Sequence, residues 1–461
     1  MRWNGVKNDN DMKIRQIIMI LACVMPFLAN AQVSFSGNAK PVWHDTPDKS
    51  TGLNTIYVLR ETQGVQMHYT SKSGANVEWY KFGAGGGSSI EEIPGIIKSG
   101  NTYTLNEIIP NMGYKIVEGT TPIFVWVINY NDYALQMSEN ALNIPAEQDC
   151  GTATIYVNGS GKDIIYYTIN GVPQTLSHKM KLSYTQLEWQ DAKEESSYLG
   201  DWVQKDAETI FDSFKNVIVI PDPLCGTAFS LSGDQFLEYW GEGIATGYVN
   251  YMSKSVDVRT EAVQEPKKEG QEGLGGSAPL LITFKAYPSD EVVYAEWQMS
   301  RDPEFKDLEL RLSKLEHGEV FVEAGTTYWR FIGSDSSGDC EVYSDTYTVT
   351  IGTSKLECPN AFSPGVTEGV NDVWKVSYQS IVDFHCWIFN RYGTQMCEFT
   401  DPAQGWDGKR GGKVVPSGVY YYVIEAVGAD GVVYKKSGDI NIIGVSDNYQ
   451  PGTTGGGTVE Q

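Results

Sequence analysis

Helical periodicity is scarce in this sequence, and so is histidine, with five residues in 461. There is no His-Glu-x-x-His, Gly-x-Ser-x-Gly, Walker loop or Cys-x-x-Cys, which removes the short signatures of zinc proteases, serine hydrolases, nucleotide loops and thiol pairs. The apolar run Ile17 to Leu28 is too short to span a bilayer stably. Basic residues are also in deficit, 35 Lys and Arg against 58 Asp and Glu, giving a net charge of −23. A chain that acidic repels phosphate backbones and anionic lipid, which argues against nucleic-acid or electrostatic membrane binding.

What is present points to strands. The length allows three or four ordinary domains, and short apolar or alternating runs are punctuated by Gly, Pro, Asn and Asp clusters. The expected fold is all-β, with immunoglobulin-like or fibronectin-like β-sandwich domains in a row and a C-terminal antiparallel β domain.

Met12 to Ala31 has the form of a Sec signal peptide, with Lys13 and Arg15 ahead of the apolar run and Ala29-Asn30-Ala31 as cleavage site, so residues 1–31 are expected to be a signal with an upstream extension starting at Met1. The alternative is a lipoprotein box ending at Cys23 and a lipid anchor there. Loss of Cys23 leaves six cysteines, an even number that suits disulfides in an exported chain. Proximity pairs Cys386 with Cys397, Cys340 with Cys358 and Cys150 with Cys225. Only the first pair has geometry behind it: if Phe389 faces Thr394, counting outward puts Cys386 opposite Cys397.

Residues 32–144 read as a sandwich-like domain. Its Gly83-Ala84-Gly85-Gly86-Gly87 run lacks the Lys-Ser/Thr and helix of a phosphate cradle and reads as a loop. Trp79, Tyr80, Trp126, Tyr130 and Tyr133 fill a core or, as the second option, contact glycan. His44 and His68 have no ligand pattern around them. Residues 145–263 form a β-rich domain with a short helical insertion, because Ala207, Ile210, Phe211 and Phe214 fall at helical spacing. Glu188, Asp191, Glu194 and Glu195 make a solvated acidic stretch rather than an acid/base pair. The polar, glycine-rich residues 264–277 are expected to be a linker. Residues 278–354 form an immunoglobulin-like sandwich with Trp297 as core anchor. Asp302, Asp307, Asp335 and Asp339 are its one option for a cation, calcium at a loop end; no other cofactor is expected.

The last block, residues 355–445, carries separate words in register. They are Pro359-Asn360-Ala361-Phe362-Ser363-Pro364, Ile388-Phe389-Asn390-Arg391-Tyr392-Gly393, Gly405-Trp406-Asp407-Gly408, Pro416-Ser417-Gly418-Val419-Tyr420 and Lys435-Lys436-Ser437-Gly438-Asp439. In this order they resemble the gliding motility-associated C-terminal domain, the type B sorting domain of Bacteroidota type IX secretion cargo. One turn departs: Gly365-Val366-Thr367-Glu368-Gly369-Val370-Asn371-Asp372 stands where the family has Asn-Gly-Asp-Gly-Ile-Asn-Asp. Residues 446–461 are expected to be a disordered tail.

The resemblance implies Sec export, passage by type IX machinery, an outer-membrane partner of the PorP/SprF kind, and a cell-surface or extracellular location. Recognition is expected at Asn360 to Pro364, Asn390 to Gly393 and Lys435 to Asp439. The expected function is a non-enzymatic surface protein whose β-modules bind a glycan or protein ligand. The alternative is a carbohydrate-active or other hydrolase with a carboxylate site in the first two domains, since glycosidase carboxylates carry no short signature.

Overall fold

The computed structural model describes residues 32–193, 199–265, 273–367 and 369–444. The expected signal peptide, Cys23 and the tail 446–461 lie outside the described residues. Within them the chain is strand throughout, apart from three 3-10 turns and the short helix Gln235–Tyr239. This is the all-β architecture that the turn-rich alternation calls for.

The first unit packs a four-stranded sheet (Val33–Ser36, Gln66–Thr70, Thr102–Leu105, Ile97–Ser99) on a six-stranded one. The central strand of the larger sheet, Thr121–Asn129, runs parallel to Thr55–Leu59 and antiparallel to Met112–Glu118. Val125 and Val127 enter a core with Met67, Tyr69 and Trp79. Trp126 and Ile128 point the other way and are equally buried. A strand covered on both faces reads as a continuous apolar run, which is how Ile123 to Ile128 is written.

What covers the second face is the next unit. Ile56, Val58, Trp126 and Ile128 share one core with Ile155, Leu182, Ile218, Phe229 and Leu231. The strand Gln136–Asn143, inside the bounds 32–144 expected for the first domain, pairs with Thr152–Ser160 of the second. The helical insertion expected around Asp206 to Phe214 is instead a strand, Gly200–Phe211, laddered along its whole length on Met180–Asp191. The residues at helical spacing do not share a face: Ile210 stands opposite Lys181 and is 62% exposed, while Phe211 and Phe214 pack against the shared core.

The third unit packs Val258–Gln264, Leu280–Pro288 and Glu316–Phe321 on a sheet built around Gly325–Ser334 and Tyr294–Ser300. Trp297 is fully buried against Phe284 and Phe331, as expected of its anchor. Val258–Gln264 pairs with Leu280–Pro288, and Leu274–Gly276 runs parallel to Tyr347–Ile351. The glycine-rich stretch therefore joins two strands of one unit rather than two units, and its residues 266–272 lie outside the described residues.

The last unit has a five-stranded sheet in the order Ala361–Phe362, Val433–Ile442, Gly418–Gly428, Ile381–Phe389, Gln395–Phe399. Trp374, Trp406, Ile388, Ile424 and Ile440 fill its core. The first strand pairs in parallel with the last, which closes the unit on itself.

Candidate sorting surface on the C-terminal unit

The strand register orients this unit. Ile381 pairs with Gly428 at one end of the sheet, and Phe389 with Tyr421 and Gly418 with Ile442 at the other. The first end meets the third unit. The Ser380 N–H donates to Ser277 Oγ (2.7 Å), the Ala324 N–H to the Ala429 carbonyl (2.9 Å), and the Ser354 hydroxyl to Asp430 Oδ1 (2.6 Å). Ser354, through its hydroxyl and its backbone N–H, holds the Asp430 carboxyl below the usual carboxylate range.

The opposite end carries two of the three expected recognition groups. The Asn390 carboxamide oxygen accepts the N–H groups of Tyr392 and Thr394, while Gly393 takes φ +76°, so this four-residue loop is set by Asn and Gly chemistry. It presents Arg391 stacked over Tyr392 at 4.9 Å, with Tyr392 76% exposed. The Asn360 carbonyl accepts from the backbone and the side chain of Asn441, Ala361 and Phe362 form the parallel edge strand, and Ser363 N–H donates to the Asn371 carbonyl. Phe362 and Pro364 are buried, Phe362 against Trp406, whereas Asn360 is exposed and Ala361 and Ser363 are half-buried. Asp372 accepts the N–H of Gly365 and of Gly369 at 2.7 Å each, which depresses its pKa and organises the turn from within.

The third group is split by strand alternation. Lys435, Ser437 and Asp439 face outward, whereas Lys436 reaches in to the Leu356 carbonyl and Gly438 lies under Tyr422. A Cβ at Gly438 would come 2.8 Å from the Tyr422 hydroxyl oxygen, which accounts for the glycine. The three words thus do not converge on one spot. Sequence reading passed over a fourth exposed element at the far end, the small hairpin Lys409–Arg410/Lys413–Val414, although its Lys-Arg-Gly-Gly-Lys run stands out in so acidic a chain.

The cysteine pairing differs from expectation. Cys150 bonds Cys340 across 190 residues, joining the second unit to the third. Cys225, Cys358, Cys386 and Cys397 are free thiols. Phe389 pairs with Gln395 rather than Thr394, and a bulge follows, so Cys397 faces Ile388 and Cys386 faces Phe399. Burial pushes the Cys386 thiol up, with the neighbouring Cys358 and Cys397 adding to the effect.

Other candidate sites resolve into structure. Asp302 caps the turn after Ser300 and Asp335 the turn after Ser334, and Ser300 pairs with Tyr328 while Ser334 pairs with Tyr294, so the two lie at opposite ends of the sheet. The four aspartates expected at one calcium site are therefore divided. Among the described residues no three His, Cys, Asp or Glu side chains come together as a metal-binding group. Glu188 pairs with Lys205 and Asp191 accepts from Trp189 Nε1; Glu194 and Glu195 lie outside the described residues. The glycine run nests on the second unit, where the Gly87 N–H donates to the Ile169 carbonyl. His68 bridges Ser36 and Thr104 across strands. Trp79, Trp126 and Tyr130 are interior and offer no ring to a glycan.

A polar cluster missed by sequence reading sits between the first two units. Asp234 Oδ1 accepts the Phe236 and Leu237 N–H groups, and its Oδ2 accepts the Tyr130 hydroxyl (2.8 Å) and meets His178 Nε2. The His-Asp-Tyr grouping resembles catalytic machinery, yet all three residues are buried inside the shared interior. It acts as a lock: burial, then the Asp234 carboxylate, holds the Tyr130 phenol far above its ordinary range.

Comparison with known proteins agrees with this architecture in two places. Residues 356–442 match the model of the CHU_C Type IX secretion signal domain, the segment that carries the resemblance above. Residues 143–247 match a Fibronectin type III domain model. No curated protein matches. Similar solved structures include the FN1-FN3 domains of chicken CNTN1, at 10% identity and TM-score 0.22, covering 67% of this chain and 99% of that one. The three N-terminal domains of the bacteriophage RB49 Highly Immunogenic Outer Capsid protein match at 8% identity and TM-score 0.21, covering 68% and 100%.

Proposed function

We propose that this chain is a non-enzymatic surface protein of a Bacteroidota bacterium. It enters the periplasm by the Sec route and is carried across the outer membrane as type IX cargo, and its three leading units then bind a protein or glycan ligand or hold other modules away from the surface. The observation that carries the reading is the match of residues 356–442 to a type IX secretion signal domain, in a unit with its own five-stranded sheet and core. The sorting partner is an outer-membrane protein of the PorP/SprF kind. Further support comes from described residues: Glu188 is in an ion pair, Asp191 bonds Trp189, His68 bridges strands, and Asp234 and His178 lie in the interior lock.

Deleting residues 358–461 tests it. The truncated protein is expected to remain in the periplasm, and normal surface levels would refute the sorting role. For the leading units, residues 32–354 are expected to give no turnover on a glycan and peptide panel. Turnover abolished by a single carboxylate substitution would establish an enzyme instead.

A further inference from the structure

The end of the C-terminal unit remote from the third unit carries Arg391, Lys409, Arg410 and Lys413 beside the carboxylates Asp372, Asp407 and Asp439, on a chain of net −23. Arg391 stands on the Asn390–Gly393 loop that leads into Gln395–Phe399, and the Lys409–Arg410/Lys413–Val414 hairpin lies against that strand. Gly408, at the root of the hairpin, rests on Pro364 and Phe362, where the sheet ends at Ile442.

Lys409 has carboxylates nearby, Asp407 at 3.0 Å and Asp372. Among the described residues, no carboxylate lies within ion-pair distance of Arg391, Arg410 or Lys413. Arg410 and Lys413 are moreover direct cross-strand partners over a Gly411-Gly412 turn. Like charges placed opposite one another in an antiparallel pair destabilise it. A local arrangement that works against the fold is what a binding surface leaves behind when its counter-charge comes from elsewhere. The same end of the sheet also carries exposed Tyr392, Val366, Val370 and Val419. Arginine and tyrosine beside a few apolar groups are the makeup of a protein-binding patch, whereas a lipid-binding patch is a dense lysine and arginine cluster.

We propose that this end is a docking surface for an acidic segment of a protein partner, with Arg391, Arg410 and Lys413 supplying the charge and Tyr392 the aromatic anchor. The proposal rests on the sorting reading above and names the chemistry of the surface that would be read.

The test uses the full chain in the producing cells, comparing surface with periplasmic protein for R391E/R410E/K413E, for R391Q/R410Q/K413Q, for R391K/R410K and for the deletion of 358–461. Charge reversal is expected to lower the surface-to-periplasm ratio about tenfold, the glutamine variant less, and the lysine variant little, with no variant melting earlier than the parent chain. If the reversed chain melts early, the glutamine variant, which adds no new charge, carries the comparison. Purified full-length protein is expected to bind poly-L-glutamate in a salt-sensitive way that the glutamine variant loses, and to ignore vesicles of phosphatidylcholine with phosphatidylglycerol. Normal export of the reversed chain while the deletion stalls would overturn the docking surface and leave the sorting reading standing. Normal export of the deletion would remove the sorting reading itself. Binding to the vesicles but not to polyglutamate would overturn the protein partner.

Discussion

Two junctions in this molecule are made of different material. Between the first and second units the joint is apolar interior, with Trp126, Ile128, Ile155 and Phe229 in one core and Asp234 locked to Tyr130 and His178. Between the third and last units it consists mainly of hydroxyl, carboxylate and backbone hydrogen bonds through Ser277, Ser354, Ser380, Ala324 and Asp430. The hydrophobic joint draws its strength from area removed from water and cannot open without exposing it. The polar joint exchanges bonds to protein for bonds to water at small net cost. The leading pair is therefore built as one body, and the sorting unit is attached so that it can part from its neighbour.

The contrast is most exposed to attack at Trp126. Trp126→Ala is expected to cost about 3–5 kcal/mol and to lower the melting of both leading units together. Separate transitions in a calorimeter would show that the shared core is not cooperative. Asp234→Ala strips a buried acceptor from Tyr130 and His178 together with a helix cap, and is expected to cost about 3–5 kcal/mol on the same assay. Next comes the covalent joint. Cys150→Ser removes a bond spanning 190 residues and is expected to cost roughly 2–4 kcal/mol. Its check is a rise in scattering radius as the third unit moves on its remaining contacts, among them Trp202 Nε1 to the Tyr287 carbonyl at 2.9 Å.

Smaller effects are expected at the polar joint. Ser354→Ala should speed release of the C-terminal unit in limited proteolysis about fivefold while leaving melting of the leading pair unchanged. An equal loss of melting temperature in both regions would show that the two joints do not differ in this way. Glu118, within the first unit, serves as an internal control. Its carboxylate accepts from the Ser71 hydroxyl, the Ser73 hydroxyl and N–H, and the Tyr69 hydroxyl, which hold its pKa well below the ordinary range. A carboxylate depressed in the folded state contributes stability above its unfolded pKa of about 4.3 and loses it as pH falls. Glu118→Gln should accordingly flatten the decline in melting temperature below about pH 4, and an unchanged decline would assign it to other groups.

How far the sequence carried this picture depended on what encodes each element. The C-terminal unit was legible because Asn390 and Gly393 specify their loop locally and the turn words come in register. Trp297 was legible as a core anchor for a similar reason, lying on a short strand at sandwich spacing. The long hairpin was misread because Ala207, Ile210 and Phe211 fall at helical spacing, while the partner that fixes them as strand lies over twenty residues away. The disulfides were misassigned because a bulge near Phe389 shifts Cys397 past Cys386, and because the Cys150–Cys340 pairing depends on how two units sit together. The shared core did leave a trace, the unbroken apolar run Ile123 to Ile128, which marks a strand buried on both faces. The Asp234 lock left none, since its members are brought together only by the assembled fold.

The bond between Cys150 and Cys340 also constrains how the protein can travel. Once it has formed, the intervening chain is a closed ring that no channel can draw through in single file. Any conduit that takes the oxidised protein outward has to admit at least two chain segments side by side. Single-file passage would require the bond to be absent during crossing and formed only on the far side.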